Sequence, residues 1–169
     1  KGPEYRIRTF KDGKVEIKTG DIFTFTVDEI EGDETIVAVN YKQLNTELNP
    51  GDIVTGNNGI VKFAVQKIEG SNIITTCLLG GVLSNRKSMS FPNKVMSGPY
   101  LSEQDKADII FGIQQGVDFV AASFVSSRED VQSLRNFLNA NGGSQIDIIA
   151  KIENRSGVDN IEEICEACE

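Results

Sequence analysis

Val117-Asp118-Phe119-Val120-Ala121-Ala122-Ser123-Phe124-Val125 is an almost unbroken apolar run, and Ile146-Asp147-Ile148-Ile149-Ala150-Lys151-Ile152-Glu153 is a second one starting 29 residues later. Runs of this length without polar alternation read as strands of a parallel sheet buried on both faces. Between them a helix is expected from about Arg128 to Asn139, capped by Ser126 or Ser127. It would turn Val131, Leu134 and Leu138 inward and stop at Gly142-Gly143. The spacing matches a βαβ unit of about 30 residues. Upstream, Ser102 followed by Asp105 predicts a capping-box start to a helix that runs to about Gln115 with Ala107, Ile110 and Phe111 on its apolar face. Downstream, Asn160 with Glu163 opens another helix. One βαβ unit cannot close a sheet, so this half reads as a slice of an α/β barrel or open sheet.

Before Gly98-Pro99 the period changes to two. Tyr5–Phe10, Lys14–Lys18, Ile22–Val27, Thr35–Val39, Ile53–Thr55, Ile60–Ile68 and Ile73–Leu79 read as short strands. Asp12-Gly13, Asn49-Pro50-Gly51-Asp52, Asn57-Asn58-Gly59 and Glu69-Gly70-Ser71-Asn72 supply the turns. Local hairpins account for this pattern, and it predicts a small antiparallel barrel or sandwich beside the α/β slice.

Composition narrows the chemistry. With 17 Lys+Arg against 25 Asp+Glu, the 169 residues carry a net charge of −8, which opposes nucleic acid or an anionic membrane as the main partner. Phosphorylated ligands would need a local basic spot. Histidine is absent, which removes Ser/His/Asp triads, Cys/His pairs and imidazole metal sites together. No apolar run approaches the roughly 18 residues of a membrane span and no export signal opens the chain, so a cytoplasmic location is expected. The chain starts at Lys1 without Met and stops at Glu169 shortly after a helix begins; both ends are expected to be cut from a longer protein. Cys77, Cys165 and Cys168 cannot complete a zinc tetrahedron without histidine. Because Ile161, Ile164, Cys165 and Cys168 share a helical face, core cysteines are expected there rather than a redox pair.

Lys151 and Glu153, at i and i+2, would project from one face at the C-terminal end of a parallel strand, where barrel and open-sheet sites gather. They form either a plain ion pair or a carboxylate for a divalent cation beside an ammonium that stabilises substrate charge. Two basic pairs, Arg6 with Arg8 and Arg86 with Lys87, are either solvated surface or phosphate contacts.

Lys1-Gly2-Pro3-Glu4, the β module ending in Leu83-Ser84 and Arg86-Lys87, Leu101-Ser102-Glu103, the run Val117–Phe124 and Ala150-Lys151-Ile152-Glu153-Asn154 with Gly157-Val158 follow in one order and spacing. In this the chain closely resembles the pyruvate kinases. The resemblance implies an α/β plus all-β fold, a small antiparallel β-barrel inserted in a partial (β/α)8 TIM barrel. Residues 1–5 would be a barrel strand end, 6–95 the β-barrel lid and 96–169 a TIM-barrel segment.

It further implies phosphoryl transfer from phosphoenolpyruvate to ADP, giving pyruvate and ATP in glycolysis, with Mg²⁺ or Mn²⁺ and K⁺ as cofactors. By position, Lys151 matches the lysine that stabilises phosphoryl and enolate charge, and Glu153 a divalent-metal ligand. Arg6 and Lys87 match nucleotide-phosphate contacts, and Glu4 the residue that goes with K⁺ dependence. A homotetrameric parent is implied, as are no nucleic-acid or membrane partner and an isolated chain without activity. Asn57-Asn58-Gly59 stands where the family has Asp-Asp-Gly, and Ser88 and Asn93 replace glycines. Two alternatives remain beside this reading. One is a non-catalytic nucleotide-binding or regulatory β module; the other is a pyruvate aldolase-like barrel with Lys151 as Schiff base, which the neighbouring carboxylate opposes.

Overall fold

The computed structural model describes residues 4–92, 94 and 96–168. They group into two units, Tyr5–Met96 and Ser97–Glu169 with Lys1–Glu4.

In Tyr5–Met96 the strands are β1 (Lys14–Ile17), β2 (Ile22–Thr26), β3 (Ile36–Ala38), β4 (Ile53–Gly56), β5 (Val61–Glu69), β6 (Asn72–Leu79), β7 (Gly81–Ser84) and β8 (Met89–Ser90), with the short helix α1 (Leu44–Glu47) before β4. Six of them form one sheet in the order β3-β2-β6-β5-β4-β8, and β1 pairs with β7. Alternation works as expected: Val61, Phe63 and Val65 of β5 and Ile73, Thr75 and Cys77 of β6 point inward, with Lys62 and Gln66 outward. Phe23, Phe25 and Phe63 stack edge-on or tilted in the core, with centroids 5.1–5.7 Å apart. The buried Thr75 hydroxyl donates to the Phe23 carbonyl at 2.7 Å, so no polar atom is stranded there.

Two expectations are corrected. Hairpins explain the β5–β6 and β4–β5 pairs, but β2 and β3 run parallel, and β1 reaches β7 through Lys14↔Ser84. Tyr5–Phe10 is no continuous strand; it makes isolated bridges, Arg6↔Ser88, Ile7↔Val39 and Phe10↔Gly32. The reason is that the segment serves two partners at once. Met89 N–H donates to the Tyr5 carbonyl at 2.8 Å and Ile7 N–H to Lys87 at 3.0 Å, while Arg8 N–H donates to Ala38 at 2.7 Å and Asn40 N–H to Arg6 at 2.9 Å. Both edges of the six-stranded sheet, β3 and β8, thereby find partners, and the sheet curls closed around its aromatic core.

In the other unit, α2 (Glu103–Gln114), β9 (Phe119–Ala122), α3 (Arg128–Ala140), β10 (Asp147–Ala150), α4 (Arg155–Asp159) and α5 (Ile161–Ala167) follow in order. β9 and β10 are parallel, with Phe119↔Asp147 to Ala122↔Ala150 in register, as the two quoted runs imply. Val131, Leu134 and Leu138 of α3 are buried with Val125, Ile146, Ile148 and Ile164. The α2 capping box is present with both hydrogen bonds.

Three further expectations change. Both strands are shorter than the apolar runs, and only one face is buried; Phe119 is 59% and Ile149 51% exposed. On α2, Ala107, Ile110 and Phe111 face outward, whereas Asp105, Ile109 and Ile113, at i, i+4 and i+8, face the core. The capping box sets this phase, because the buried Asp105 must accept from the Ser102 N–H and hydroxyl. Finally, Cys165 is exposed and Cys168 only partly buried, so the core cysteines expected on the helical face of Ile161 and Ile164 are not both in the core. Cys165 lines an open apolar groove with Cys168, Ile161 and β10.

Candidate functional site

β10 ends at Ala150, one residue before Lys151, although the Lys151 N–H still bonds the Ala122 carbonyl at 2.8 Å. The Lys151–Glu153 segment is therefore pinned to β9 while leaving the sheet at the C-terminal ends of two parallel strands. The Lys151 ammonium lies 3.2 Å from Glu153 Oε1, with both side chains more than a third exposed. The second oxygen, Oε2, accepts the backbone N–H of Phe124 at 3.1 Å. Each carboxylate oxygen thus has one donor, and an ionised carboxylate has about four lone-pair sites.

Phe124 adopts φ +56°, a left-handed conformation rare for a bulky residue and costing about 1–3 kcal/mol. Its surroundings hold it. The Asn154 amide Nδ2 donates to the Phe124 carbonyl at 3.2 Å and to Ser126 Oγ at 3.0 Å, while Asn154 Oδ1 accepts the Gly157 N–H at 2.7 Å and caps α4. Tyr100 donates its hydroxyl to the Ser123 carbonyl at 2.8 Å, and Asn160 Nδ2 donates to the Ser126 carbonyl at 2.9 Å. Asp130 Oδ2 takes the Ser126 N–H at 2.8 Å. Burial pushes the Asp130 carboxyl up, against the lowering effect of the Ser126 and Ser127 N–H groups. Gly157 has to be glycine, since a Cβ there would sit 2.5 Å from the Val125 carbonyl.

Asn160 opens α5 as expected, but its side chain does not cap the helix; it reaches the Ser126 carbonyl instead. Asn154 and Phe124 stand in the quoted motifs, but the sequence assigns no role to them or to Tyr100. Asn154 followed three residues later by Gly157 is a legible cap signal, obscured because a glycine reads as a helix breaker. Nothing in the sequence announces a left-handed phenylalanine.

Glu153 can serve as one ligand of a divalent cation, which takes one or two carboxylates together with substrate oxygens. It fits that role because its side chain is accessible and each carboxylate oxygen has lone-pair capacity left over. Among the described residues no cluster of three or more Cys, Asp or Glu could hold a metal by itself.

In the β unit, Arg6 lies on the segment Tyr5–Arg8 and Lys87 on the segment Arg86–Met89 that pairs with it. Arg6 is bridged to Ser88, and Ile7 N–H bonds the Lys87 carbonyl at 3.0 Å. The Arg6 backbone N–H donates to Asn40 Oδ1 at 2.8 Å, and its guanidinium to the carbonyl of Arg86, which is left-handed at φ +59°. Asn57, Asn58 and Gly59 all have positive φ, at 51°, 56° and 85°, as expected for a tight turn. The turn is fastened beside Lys87, because Ser88 Oγ contacts Asn58 Oδ1 at 3.0 Å and the Ser88 carbonyl accepts the Asn57 N–H at 3.0 Å. Glu4 is half-buried and belongs to the unit with Ser97–Glu169.

The family model "Pyruvate kinase, barrel domain" matches residues 1–169. The chain is 43% identical over 165 residues to pyruvate kinase of Clostridium perfringens, covering 97% of this chain and 35% of that protein. It is 39% identical over 171 residues to pyruvate kinase of Geobacillus stearothermophilus, covering 100% of this chain and 29% of that one. Against pyruvate kinase of Agaricus bisporus the identity is 40% over 168 residues, covering 97% and 31%. The chain thus spans about a third of the length of these relatives. With a family model covering every residue, and relatives from bacteria and a fungus aligned across nearly the whole sequence, the chain belongs to the pyruvate kinase family.

Proposed function

We propose that the protein containing this chain transfers a phosphoryl group from phosphoenolpyruvate to ADP, giving pyruvate and ATP. The observation that carries the reading is the Lys151–Glu153 contact of 3.2 Å at the C-terminal ends of two paired parallel strands. In this reading Tyr5–Met96 is the lid and Ser97–Glu169 part of a TIM barrel, in a cytoplasmic, homotetrameric glycolytic enzyme.

In the transfer, the bond between phosphorus and the enol oxygen breaks as a terminal phosphate oxygen of ADP bonds to phosphorus, and the enolate is then protonated at carbon. Glu153 would hold Mg²⁺ or Mn²⁺, which neutralises phosphate charge when bound. Lys151 would stabilise the negative charge that grows on the phosphoryl and enolate oxygens, a role that needs a permanently charged, preorganised group and no proton transfer. Arg6 and Lys87 would meet the nucleotide phosphates from adjoining segments of the β unit, and Glu4 would set the K⁺ dependence. A Schiff-base lysine calls for a desolvated amine in an apolar pocket, whereas the Lys151 side chain is 41% exposed and lies 3.2 Å from Glu153.

A lactate dehydrogenase-coupled assay on the full-length protein tests the reading: turnover of phosphoenolpyruvate and ADP is expected, and its absence would refute it. The isolated 169-residue chain is expected to turn over no faster than its Lys151→Ala variant. MgADP should nevertheless bind it weakly, and less so after Arg6→Ala or Lys87→Ala.

A further inference from the structure

We propose that Asn154 is a positioning residue for Glu153, acting through the left-handed turn at Phe124; this rests on the reading of Glu153 as a divalent-cation ligand. The chain of contacts is short. Asn154 Nδ2 holds the Phe124 carbonyl at 3.2 Å and Ser126 Oγ at 3.0 Å. Its Oδ1 is committed to the Gly157 N–H at 2.7 Å, which fixes the amide so that Nδ2 faces the turn. Phe124 at φ +56° then presents its N–H to Glu153 Oε2 at 3.1 Å.

A phenylalanine does not stay left-handed without restraint. Releasing it to negative φ reorients the peptide units around it and takes the N–H away from the carboxylate. Glu153 would keep Lys151 but lose the contact that sets the rotation of its carboxylate plane. Supports behind a metal ligand typically change metal affinity by about 10–100-fold when removed. Asn154 also caps α4, so the two roles must be separated. Serine is as good a cap as asparagine but has no amide to hold the turn. Glycine at position 124 occupies the left-handed region without penalty, so it should stand in for the restraint that Asn154 supplies.

The test measures Mn²⁺ binding to the full-length protein by electron paramagnetic resonance of the free ion, alongside kcat and the KM for ADP. Asn154→Ser and Asn154→Ala are both expected to weaken Mn²⁺ binding by about 10-fold and to lower kcat, with the KM for ADP within about 2-fold of wild type. Adding Phe124→Gly to Asn154→Ser should restore most of the Mn²⁺ affinity, which loss of a helix cap would not allow. Glu153→Gln is the reference. If it weakens Mn²⁺ binding while Asn154→Ser does not, or if Phe124→Gly fails to rescue, the positioning role is wrong. If Glu153→Gln itself leaves Mn²⁺ binding unchanged, the reading of Glu153 as a ligand falls first.

Discussion

The Lys151 ammonium and the Glu153 carboxylate touch at 3.2 Å, while Ile152 between them packs toward the core of the βαβ unit. The alternation of a strand thus persists past the last ladder residue, where side chains are free to meet a ligand. As a mere ion pair with both partners exposed to this degree, the contact would be worth little, in the range of about 0–1 kcal/mol.

The two residues should separate kinetically in the full-length protein. Lys151→Met is expected to lower kcat by about two to three orders of magnitude, the scale of losing one preorganised charge-stabilising group, with a much smaller change in the KM for phosphoenolpyruvate. Glu153→Gln should instead raise the Mg²⁺ concentration needed for half-activation while kcat falls. Near-normal kcat in folded Lys151→Met would end the catalytic assignment.

Tyr100 gives an alkaline signature. Burial first, then the charges of Asp130, Asp105 and Glu153, push its phenol well above the usual tyrosine range. A group whose folded pKa is raised contributes stability that is complete below its unfolded pKa, about 10, and is lost as pH rises beyond it. Tyr100→Phe removes the bond to the Ser123 carbonyl, so it should cost about 1 kcal/mol near neutrality. Thermal midpoints of the two proteins should converge above pH ~10, and parallel curves would contradict this.

The acid side belongs to the β unit. Burial works against the Asp52 carboxylate, but Lys94 at 2.8 Å and the Asn49 N–H outweigh it and hold its pKa below the usual value. A lowered folded pKa means stability that is present above the unfolded pKa of about 4 and lost as pH falls through the folded one. Lys94→Met should therefore destabilise the unit by about 1 kcal/mol at pH 7, with the deficit shrinking in acid. A deficit independent of pH would point to packing of the lysine stem instead.

Phe63 meets both Phe23 and Phe25 in the fully buried centre of the curled sheet. Phe63→Ala should cost about 3–5 kcal/mol, whereas Phe63→Leu should cost much less. Denaturant unfolding followed by β-sheet circular dichroism would show a lowered midpoint for Ala; equal midpoints would mean that the cluster relaxes freely.

What could be read from the chain follows from how local each cause is. Strand alternation, the Ser102–Asp105 cap and the parallel β9–β10 pair are each written within a few residues or one βαβ spacing, and they appear in the structure. The contact between Lys151 and Glu153 was legible for the same reason, since i and i+2 share a face. The outward turn of Ile110 and Phe111 was not, because apolar residues lie all round α2 and the buried Asp105 settles its phase. Nor was the closure of the sheet by Tyr5–Arg8, which depends on partners from opposite ends of the β unit. The turn at Phe124 depends on Asn154, 30 residues on, and no local propensity signals it.

The Met89 N–H to Tyr5 carbonyl bond of 2.8 Å has a consequence for how the gene can change. The segments at the two ends of the β unit are hydrogen-bonded to each other, so the unit is an excursion of the chain whose mouth is already tied. Loop-closure entropy grows only with the logarithm of length, by about 0.6 kcal/mol per doubling. A segment whose two ends meet in this way can therefore lengthen, shorten or be exchanged wholesale for another module with little thermodynamic cost to the chain on either side.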